Sequence, residues 1–174
     1  MKRFIALVAA TVLAGCANVA PLVPATGGDA FSGRLALRVE PLGAAPARAF
    51  SAAFDLRGNP VAGSLGLSTP LGSMLAQARW KSGEVVLVTP QGTRRFDDLD
   101  DLTREVLGES VPIEAWFDWL RGRPWTGAPS AVASAGFEQL GWAVDLARFG
   151  EGAVSARRGA PLPVVTVRIQ LDHS

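Results

Sequence analysis

The chain has 174 residues, 48% of them hydrophobic, and 17 basic residues against 16 acidic ones give a formal net charge of +1. This balance gives no electrostatic support for nucleic-acid binding, and the single cysteine excludes a disulfide within the chain. The length suits one domain that buries a substantial core.

The first residues predict an export signal. Lys2 and Arg3 precede an apolar run over residues 4–13, which is shorter than the roughly 20 residues of a bilayer span but fits a signal peptide. The run ends in the sequence LAGC at Cys16, which resembles the bacterial lipobox that is cut just before its cysteine. The resemblance implies removal of residues 1–15 and a diacylglyceryl thioether and an N-acyl group on Cys16. The alternative is an ordinary signal peptide in which Cys16 occurs by chance.

The segment after the cysteine predicts a flexible tether. Residues 16–30 contain Pro21, Pro24, Gly27 and Gly28 and show little periodicity. Position 17 is alanine, whereas an aspartate there is associated with inner-membrane retention of proteobacterial lipoproteins. By resemblance to that sorting pattern, the mature protein is directed to the outer membrane and faces the periplasm.

From residue 31 onward, apolar and polar residues alternate with the period of a β-strand. Turns rich in glycine and proline separate the runs, and residues 81–83 mark a hairpin. The alternation predicts strands over residues 31–40, 50–57, 61–68, 74–80, 84–89 and 93–96, and then over 136–140, 142–146 and 164–171. Residues 126–134 are predicted to form a loop, and no strand is predicted over residues 150–158.

Two predicted helices interrupt the strands. An apolar stripe with helical spacing begins at Leu99, and Gly108 stands where a C-cap glycine belongs. A second stripe, with i, i+3, i+4 and i+7 spacing, runs over residues 113–120. The aspartates at 97–101 are interpreted as complementing the dipole of the first helix rather than as a cation site. The arginine pair at 157–158 is interpreted as solvated.

The order of strands, helices and strands predicts a mainly β fold with some α structure. Short turns between sequential strands favour an antiparallel sheet, and this many strands favour curling into a barrel or half-barrel. The apolar helix faces need burial, and the concave side of the sheet is the nearest apolar surface. Loose packing there leaves room for an apolar ligand and tight packing leaves none, and the pattern does not choose between them.

Four stretches resemble the LolB family of outer-membrane lipoprotein receptors. They are FSGRLALRV, TPLGSMLA, EVLGESVPIEAWFDWLRGRPWTGAP and GWAVDLARF, in that order between residues 31 and 172. The resemblance implies a LolB-like domain over residues 31–174, folded as an unclosed antiparallel β-barrel covered by a small helical plug, as in LolA and LolB. It also implies a receptor that accepts lipoproteins from the periplasmic carrier LolA through an apolar acyl-chain cavity and inserts them into the outer membrane without nucleotide.

The same resemblance assigns residues. Leu71, between Pro70 and Gly72, matches a family loop leucine that projects to solvent and delivers lipoproteins into the membrane; without the resemblance, an ordinary exposed leucine is the better interpretation. Apolar residues that would otherwise fill a core are expected to line the acyl-chain cavity: Leu35, Leu37, Phe50, Phe54, Leu65, Leu67, Trp116, Phe117, Trp119 and Leu120. The family often has tyrosines near the GW strand and this chain has none, which bears on the polarity of the cavity.

No arrangement of residues predicts an enzyme. The only histidine, His173, is next to the C-terminus, residues 66–70 do not form a GxSxG elbow, and residues 150–155 are a poor dinucleotide fingerprint. We therefore expect no metal, no cofactor besides the covalent lipid, and a monomer. The expected partners are LolA, the acyl chains of lipoproteins and the lipids of the outer membrane.

Two non-enzymatic alternatives remain open. A soluble LolA-like carrier would share the expected architecture, but a lipid anchor would prevent its diffusion. A structural or partner-binding envelope lipoprotein would use its sheet as a binding surface and have no lipid cavity.

Overall fold

The computed structural model describes residues 28–172. The predicted signal peptide, the anchor at Cys16, the tether before residue 28 and His173 all lie outside the described residues. The first strand begins at Asp29, two residues before its predicted start.

Eleven strands form one antiparallel sheet. They are β1 (Asp29–Val39), β2 (Arg48–Gly58), β3 (Gly63–Ser68), β4 (Met74–Lys81), β5 (Glu84–Thr89), β6 (Gly92–Phe96), β7 (Ser130–Ala133), β8 (Gly136–Gln139), β9 (Trp142–Asp145), β10 (Ala153–Arg158) and β11 (Val165–Leu171). Their order across the sheet is β6-β5-β4-β3-β2-β1-β11-β10-β9-β8-β7. Within residues 28–172, β6 and β7 are the two edges and do not pair with each other. The predicted unclosed antiparallel barrel is therefore confirmed.

The central strand β1 shows why alternation predicts this sheet well. Leu35, Leu37 and Val39 are buried, whereas Arg34 and Arg38 between them are exposed. A shift of one residue in the pairing would turn this apolar face to water. Burial of the apolar face therefore fixes the register of β1 against its two neighbours.

Two strands lie where none was predicted. β7 falls within the predicted loop at 126–134, and all four of its residues are exposed at the sheet edge, so no alternation of burial marks it. β10 is hidden in the sequence because one of its inward positions is Arg158. The interpretation of Arg158 as solvated is wrong, since the residue is only 7% exposed and Glu109 supplies its buried counter-charge. Arg157 is exposed, as expected.

Two helices, α1 (Leu99–Leu107) and α2 (Ile113–Trp119), connect β6 to β7, and a short 3-10 helix covers Phe149–Glu151. The Asp98 side chain caps α1 by accepting a hydrogen bond from the Asp101 backbone N–H at 2.7 Å. Gly108 ends α1 in the left-handed conformation, with φ of 75°. The predicted capping roles at both ends of α1 are therefore confirmed. None of the helices within residues 28–172 has the length and apolar character that crossing a bilayer requires.

Aromatic side chains join α2 to both halves of the sheet. Phe117 meets Trp80 of β4 edge to face, with 6.1 Å between ring centroids. Trp119 meets Phe137 of β8 at 6.3 Å and Trp142 of β9 at 6.4 Å. Such pairs contribute roughly 0.5–1.5 kcal/mol each beyond the burial of their area, so α2 is anchored at the centre of the apolar core.

The turn between β8 and β9 has an unusual backbone for its side chain. Leu140 and Gly141 have φ of 54° and 77°, and Leu140 is the one non-glycine residue with positive φ within residues 28–172. Two-residue hairpin turns of this kind prefer asparagine, aspartate or glycine. The left-handed conformation costs an ordinary residue roughly 1–2 kcal/mol. Leu140 is also 45% exposed, so burial offsets this cost only in part.

Candidate functional site

The structure brings most of the predicted cavity residues together on the inside of the sheet. Those buried in one apolar cluster are Leu35, Leu37, Phe54, Leu65, Trp116, Phe117, Trp119 and Leu120. Leu67 is half-buried and packs against that cluster. Phe50 is half-buried near the start of β2. The residues expected at the cavity therefore share one face of the sheet with the helices.

These side chains fill the space between the helices and the sheet. A void beneath α2 measures about 10 Å³ and is lined by Trp116, Trp119, Leu120, Val154, Ala156, Val167 and Ile169. By the same measure, one water molecule needs about 10–15 Å³, so this void holds no acyl chain in the observed conformation. Of the two packing possibilities left open by the sequence, the described residues show the tight one.

A buried glutamine fastens the helical region to β8. We call residues 99–129, which include α1, α2 and the segment leading to β7, the helical cover. Gln139 accepts hydrogen bonds through Oε1 from Trp119 Nε1 at 2.8 Å and from the Trp125 backbone N–H at 2.9 Å. Its Nε2 donates to the carbonyl oxygens of Trp125 and Ala128, both at 2.7 Å. One side chain thus satisfies four polar groups of the helical cover in an apolar interior.

A buried arginine makes a second connection, from β10 to the segment between the two helices. Arg158 donates from Nη1 to the Ser110 carbonyl oxygen at 3.2 Å and from Nη2 to Glu109 Oε2. Its guanidinium lies 5.6 Å from the ring centroid of Trp142, and its Nε has no hydrogen-bond partner among the described residues. Because both members of this ion pair are largely buried, losing either partner leaves an unpaired buried charge.

A third connection joins the end of α2 to β1. The Asp118 carboxylate accepts a hydrogen bond from Arg123 Nε at 2.8 Å and pairs with Arg121 at 3.4 Å. Arg121 also pairs with Asp29, and its guanidinium lies 5.9 Å from the ring centroid of Phe31. Both members of the Arg121–Asp29 pair are partly exposed, so solvent weakens this tie.

Sequence reasoning missed all three connections. Gln139 occupies an inward position of a predicted strand, and a polar side chain at such a position is a detectable signal. Its four partners lie 11 to 20 residues away along the chain and carry no signal of their own. Arg158 had no predicted strand around it, so its inward position could not be recognised.

The other half of the sheet meets the helical cover through apolar side chains. Trp80 of β4 contacts Phe117, and Val85 and Leu87 of β5 belong to the same buried cluster. Within residues 28–172, no hydrogen bond or ion pair joins the helical cover to β3, β4 or β5. At the edge strand β6, Arg94 and Glu105 form an exposed ion pair.

The turn that contains Leu71 is closed by its own hydrogen bonds. Between β3 and β4, the Thr69 carbonyl oxygen accepts from the Gly72 N–H at 2.9 Å, and Thr69 Oγ1 accepts from the Ser73 N–H at 3.1 Å. Pro70 restricts φ at the first central position, and Gly72 takes a positive φ of 85°. Leu71 is 97% exposed, and the hydrogen bonds of the turn hold it in this exposed position.

A recess of about 350 Å³ lies beside the Leu71 turn. Its apolar lining comes from Phe54, Leu67, Met74 and Ala76, and its remaining lining is polar or glycine. Phe54 and Leu67 are direct partners across β2 and β3. Two predicted cavity residues therefore lie at the recess as well as in or against the core cluster.

Titratable groups within the described part of the chain do not assemble a metal site. No group of three or more histidine, cysteine, aspartate or glutamate residues within residues 28–172 is placed to hold a metal ion. One carboxyl of the helical cover is nevertheless perturbed. Burial, with a smaller contribution from the nearby carboxylates of Asp100 and Asp98, raises the pKa of Glu114 above its ordinary value.

Comparison with known protein families gives a match over most of the chain. The sequence model of the family described as outer membrane lipoprotein LolB matches residues 30–172. This range takes in nearly the whole described sheet, the helical cover and the Leu71 turn.

Individual proteins agree with that match. Outer-membrane lipoprotein LolB of Bordetella petrii is 32% identical over an alignment of 175 positions, which covers 93% of this chain and 87% of the relative. The protein of the same name from Chromobacterium violaceum is 33% identical, covering 85% of this chain and 83% of the relative. That from Ralstonia nicotianae is 32% identical, covering 95% of this chain and 93% of the relative.

Proposed function

Because the chain belongs to the LolB family of outer-membrane lipoproteins, we propose that it accepts lipoproteins from the periplasmic carrier LolA and inserts them into the outer membrane. The observation that carries this proposal is the family match over residues 30–172. In this proposal Cys16 carries the lipid anchor, and the tether predicted over residues 16–30 joins it to the domain, with its last two residues, Asp29 and Ala30, in β1.

The proposed cargo site is the interface between the helical cover and the sheet. Its apolar side chains already fill that interface, so acyl chains enter only when the helical cover moves outward. Each acyl methylene that leaves water gains about 0.8 kcal/mol, and separating the helices from the sheet opposes that gain. The net affinity is therefore moderate, which a receptor needs if it is to release its cargo into a bilayer.

Leu71 is the proposed contact with the bilayer during release. Burying one leucine contributes about 1.5–3 kcal/mol, which suits a brief contact rather than an anchor. The recess beside the turn supports a route for the cargo, because it connects the exposed turn with Phe54 and Leu67.

The length of the tether is compatible with this contact. Fully extended, residues 16–28 reach at most about 40 Å. β1 has 11 residues and is therefore about 37 Å long. The tether is thus long enough for either end of the sheet to approach the membrane that holds the anchor.

A Leu71→Glu variant tests the proposal in a two-stage transfer assay with labelled lipoprotein. We expect unchanged transfer from LolA to the receptor and at least about tenfold slower release to liposomes, since tenfold corresponds to about 1.4 kcal/mol. Val132→Glu is the matched control, because Val132 is an equally exposed apolar residue, at 96%, on the edge strand β7. Equal release by the two variants would remove Leu71 from the mechanism. Failure of the wild-type protein to accept lipoprotein from LolA would refute the proposal itself.

A second candidate function rests on the filled interior. A partner-binding envelope lipoprotein without a lipid cavity needs only the packed core that surrounds the 10 Å³ void. Displacement of a fluorescent fatty acid by lipoprotein acyl chains distinguishes the two functions, because only the proposed receptor binds the probe. Mass spectrometry of the mature N-terminus tests the anchor at Cys16 and thereby the remaining alternative, a soluble carrier.

A further inference from the structure

Three turns at one end of the sheet each place a leucine in water. Leu42 lies between β1 and β2, Leu140 between β8 and β9, and Leu162 between β10 and β11. Their exposed fractions are 45%, 45% and 61%, and we call these three residues the leucine rim. Within residues 28–172, the turns at the opposite end expose one large apolar residue, Val61.

Strand pairing puts the three turns on one continuous edge. Consecutive partners across β2, β1, β11, β10, β9 and β8 are Arg48, Val39, Val165, Arg158, Trp142 and Gln139. The rim turns leave directly from this row, and neighbouring strands are about 4.8 Å apart. The Leu71 turn is at the same end of the sheet, because β3 and β4 form an antiparallel hairpin of the same orientation as β1 and β2. It leaves, however, from Ser68, which pairs with Ala53, five residues farther along β2 than Arg48. The leucine rim is therefore a surface distinct from the Leu71 turn.

The conformation of Leu140 indicates that this edge serves more than folding. An asparagine or glycine at its position would fit the left-handed backbone without strain. A leucine there is strained and 45% exposed, so neither the turn nor the core explains it. Strain of this kind motivates a functional hypothesis, because the surrounding structure must hold it in place.

The charges around the rim favour an anionic surface. Across residues 40–47, 140–141 and 159–164, the one charged side chain is Glu40, which pairs with Arg38. Arg157 is exposed next to the rim, and its positive charge also acts on the Glu40 carboxylate. Arg48 is exposed as well, and its guanidinium lies close to Gly108 at the C-terminal end of α1. Glu138 is the exposed carboxylate beside Leu140. Arg38, Arg48 and Arg157 against Glu40 and Glu138 leave a small positive excess beside the rim, and apolar side chains with a positive excess beside them favour an anionic phospholipid surface.

We propose that the leucine rim binds the phospholipid surface of the membrane that carries the lipid anchor. The three hairpins are adjacent in the sheet, and the centres of neighbouring hairpins are two strand spacings, about 10 Å, apart. Separate points of this kind suit a fluid lipid surface. This inference deepens the proposed function by naming a second membrane contact, yet it requires neither the carrier nor the cargo.

Fluorescent labels in the lipidated full-length protein test the rim directly. An environment-sensitive dye is attached to the cysteine of the Leu42→Cys or the Leu162→Cys variant. Each labelled protein is then reconstituted through its own lipid anchor into vesicles of phosphatidylethanolamine and phosphatidylglycerol. The vesicles also contain a spin-labelled lipid that quenches the dye. We expect at least about twofold quenching at both positions. Val61→Cys, at the opposite end, and Val132→Cys, on the edge strand, are the matched controls and should remain unquenched. Equal quenching at all four positions, or none at the rim, would overturn the proposal.

A second variant separates membrane contact from folding. Leu140→Asn removes the backbone strain, so Tm should rise by about 2–4 °C while quenching of the dye at position 162 falls. Loss of carrier transfer without any change in quenching would assign the rim to a protein partner and refute the lipid proposal. The quenching experiment contains neither LolA nor lipoprotein. It therefore tests the membrane contact of the leucine rim even if the proposed transfer function is refuted.

Discussion

The helical cover meets the two halves of the sheet in different ways. Against β8 and β10 it is held by buried polar groups, through Gln139 and Arg158. Against β3, β4 and β5 it lies on apolar side chains such as Trp80 and Leu87. Hydrogen bonds require defined geometry, whereas apolar contacts depend mainly on the area removed from water. The first interface therefore fixes the helical cover in position, and the second holds it without fixing it.

This difference indicates how the interior can open. Outward movement from β4 and β5 exposes apolar surface that an incoming acyl chain can cover again. Movement from β8 and β10 instead leaves buried polar groups without partners, which costs about 1–3 kcal/mol for each group. We therefore expect the helical cover to pivot on the β8–β10 side and to open over β4 and β5.

The largest effect is expected from Gln139→Leu. The change leaves four polar groups of the helical cover without partners, and we expect a loss of about 3–5 kcal/mol in the free energy of unfolding. Urea denaturation measures the loss, and hydrogen exchange should show faster opening of residues 113–129. The matched control is Gln170→Leu on β11, where the exposed side chain donates to the Glu151 carbonyl oxygen at 2.7 Å. Losses of equal size in the two variants would contradict the idea that the β8 side fixes the helical cover.

A smaller effect is expected from Glu109→Gln. The change leaves Arg158 charged and largely buried with a neutral partner, and we expect a loss of about 2–3 kcal/mol. Glu105→Gln, which breaks the exposed pair with Arg94 at the edge strand β6, should cost less than about 1 kcal/mol. Thermal unfolding of both variants at the same ionic strength provides the comparison. Similar losses would mean that the β10 connection behaves as an ordinary surface ion pair.

The sequence predicted the regular parts of this fold because one face of each element is buried. Strands such as β1 and β11 alternate strictly, and Leu99 and Gly108 bracket α1 with signals that depend on neighbouring residues alone. β7 could not be recognised, because an edge strand with four exposed residues has no apolar face. β10 was hidden by Arg158, whose burial depends on a glutamate 49 residues away.

The candidate site was less accessible to sequence reasoning than the fold. An apolar inward face has the same sequence pattern whether it lines a cavity or fills a core. Only the volumes of the side chains that face each other decide which of the two occurs. Trp116 and Leu120 belong to such a face. Leu71 could be placed in a turn from its neighbours Pro70 and Gly72, but its role rests on the family resemblance and remains a prediction.

The smallest effect concerns Glu114, a half-buried residue in the first turn of α2 within the helical cover. Because burial raises its pKa in the folded protein, the ionised carboxylate destabilises the fold at pH values above that raised pKa, and the penalty disappears as the pH falls to the pKa of the unfolded chain. Glu114→Gln should therefore raise Tm at pH 7 and lose this advantage near pH 4.5, where an ordinary glutamate titrates. The gain should not exceed about 2 °C, since Glu114 is only half-buried and water screens its charge.

Thermal unfolding across this pH range measures the difference between Glu114→Gln and the wild-type protein, with the exposed Glu138→Gln as control. A higher Tm of Glu114→Gln at pH 7, without faster hydrogen exchange along β8, would show that the effect of the charge is confined to the helical cover. An equal rise in Tm at pH 7 and pH 4.5 would show that packing rather than charge is responsible.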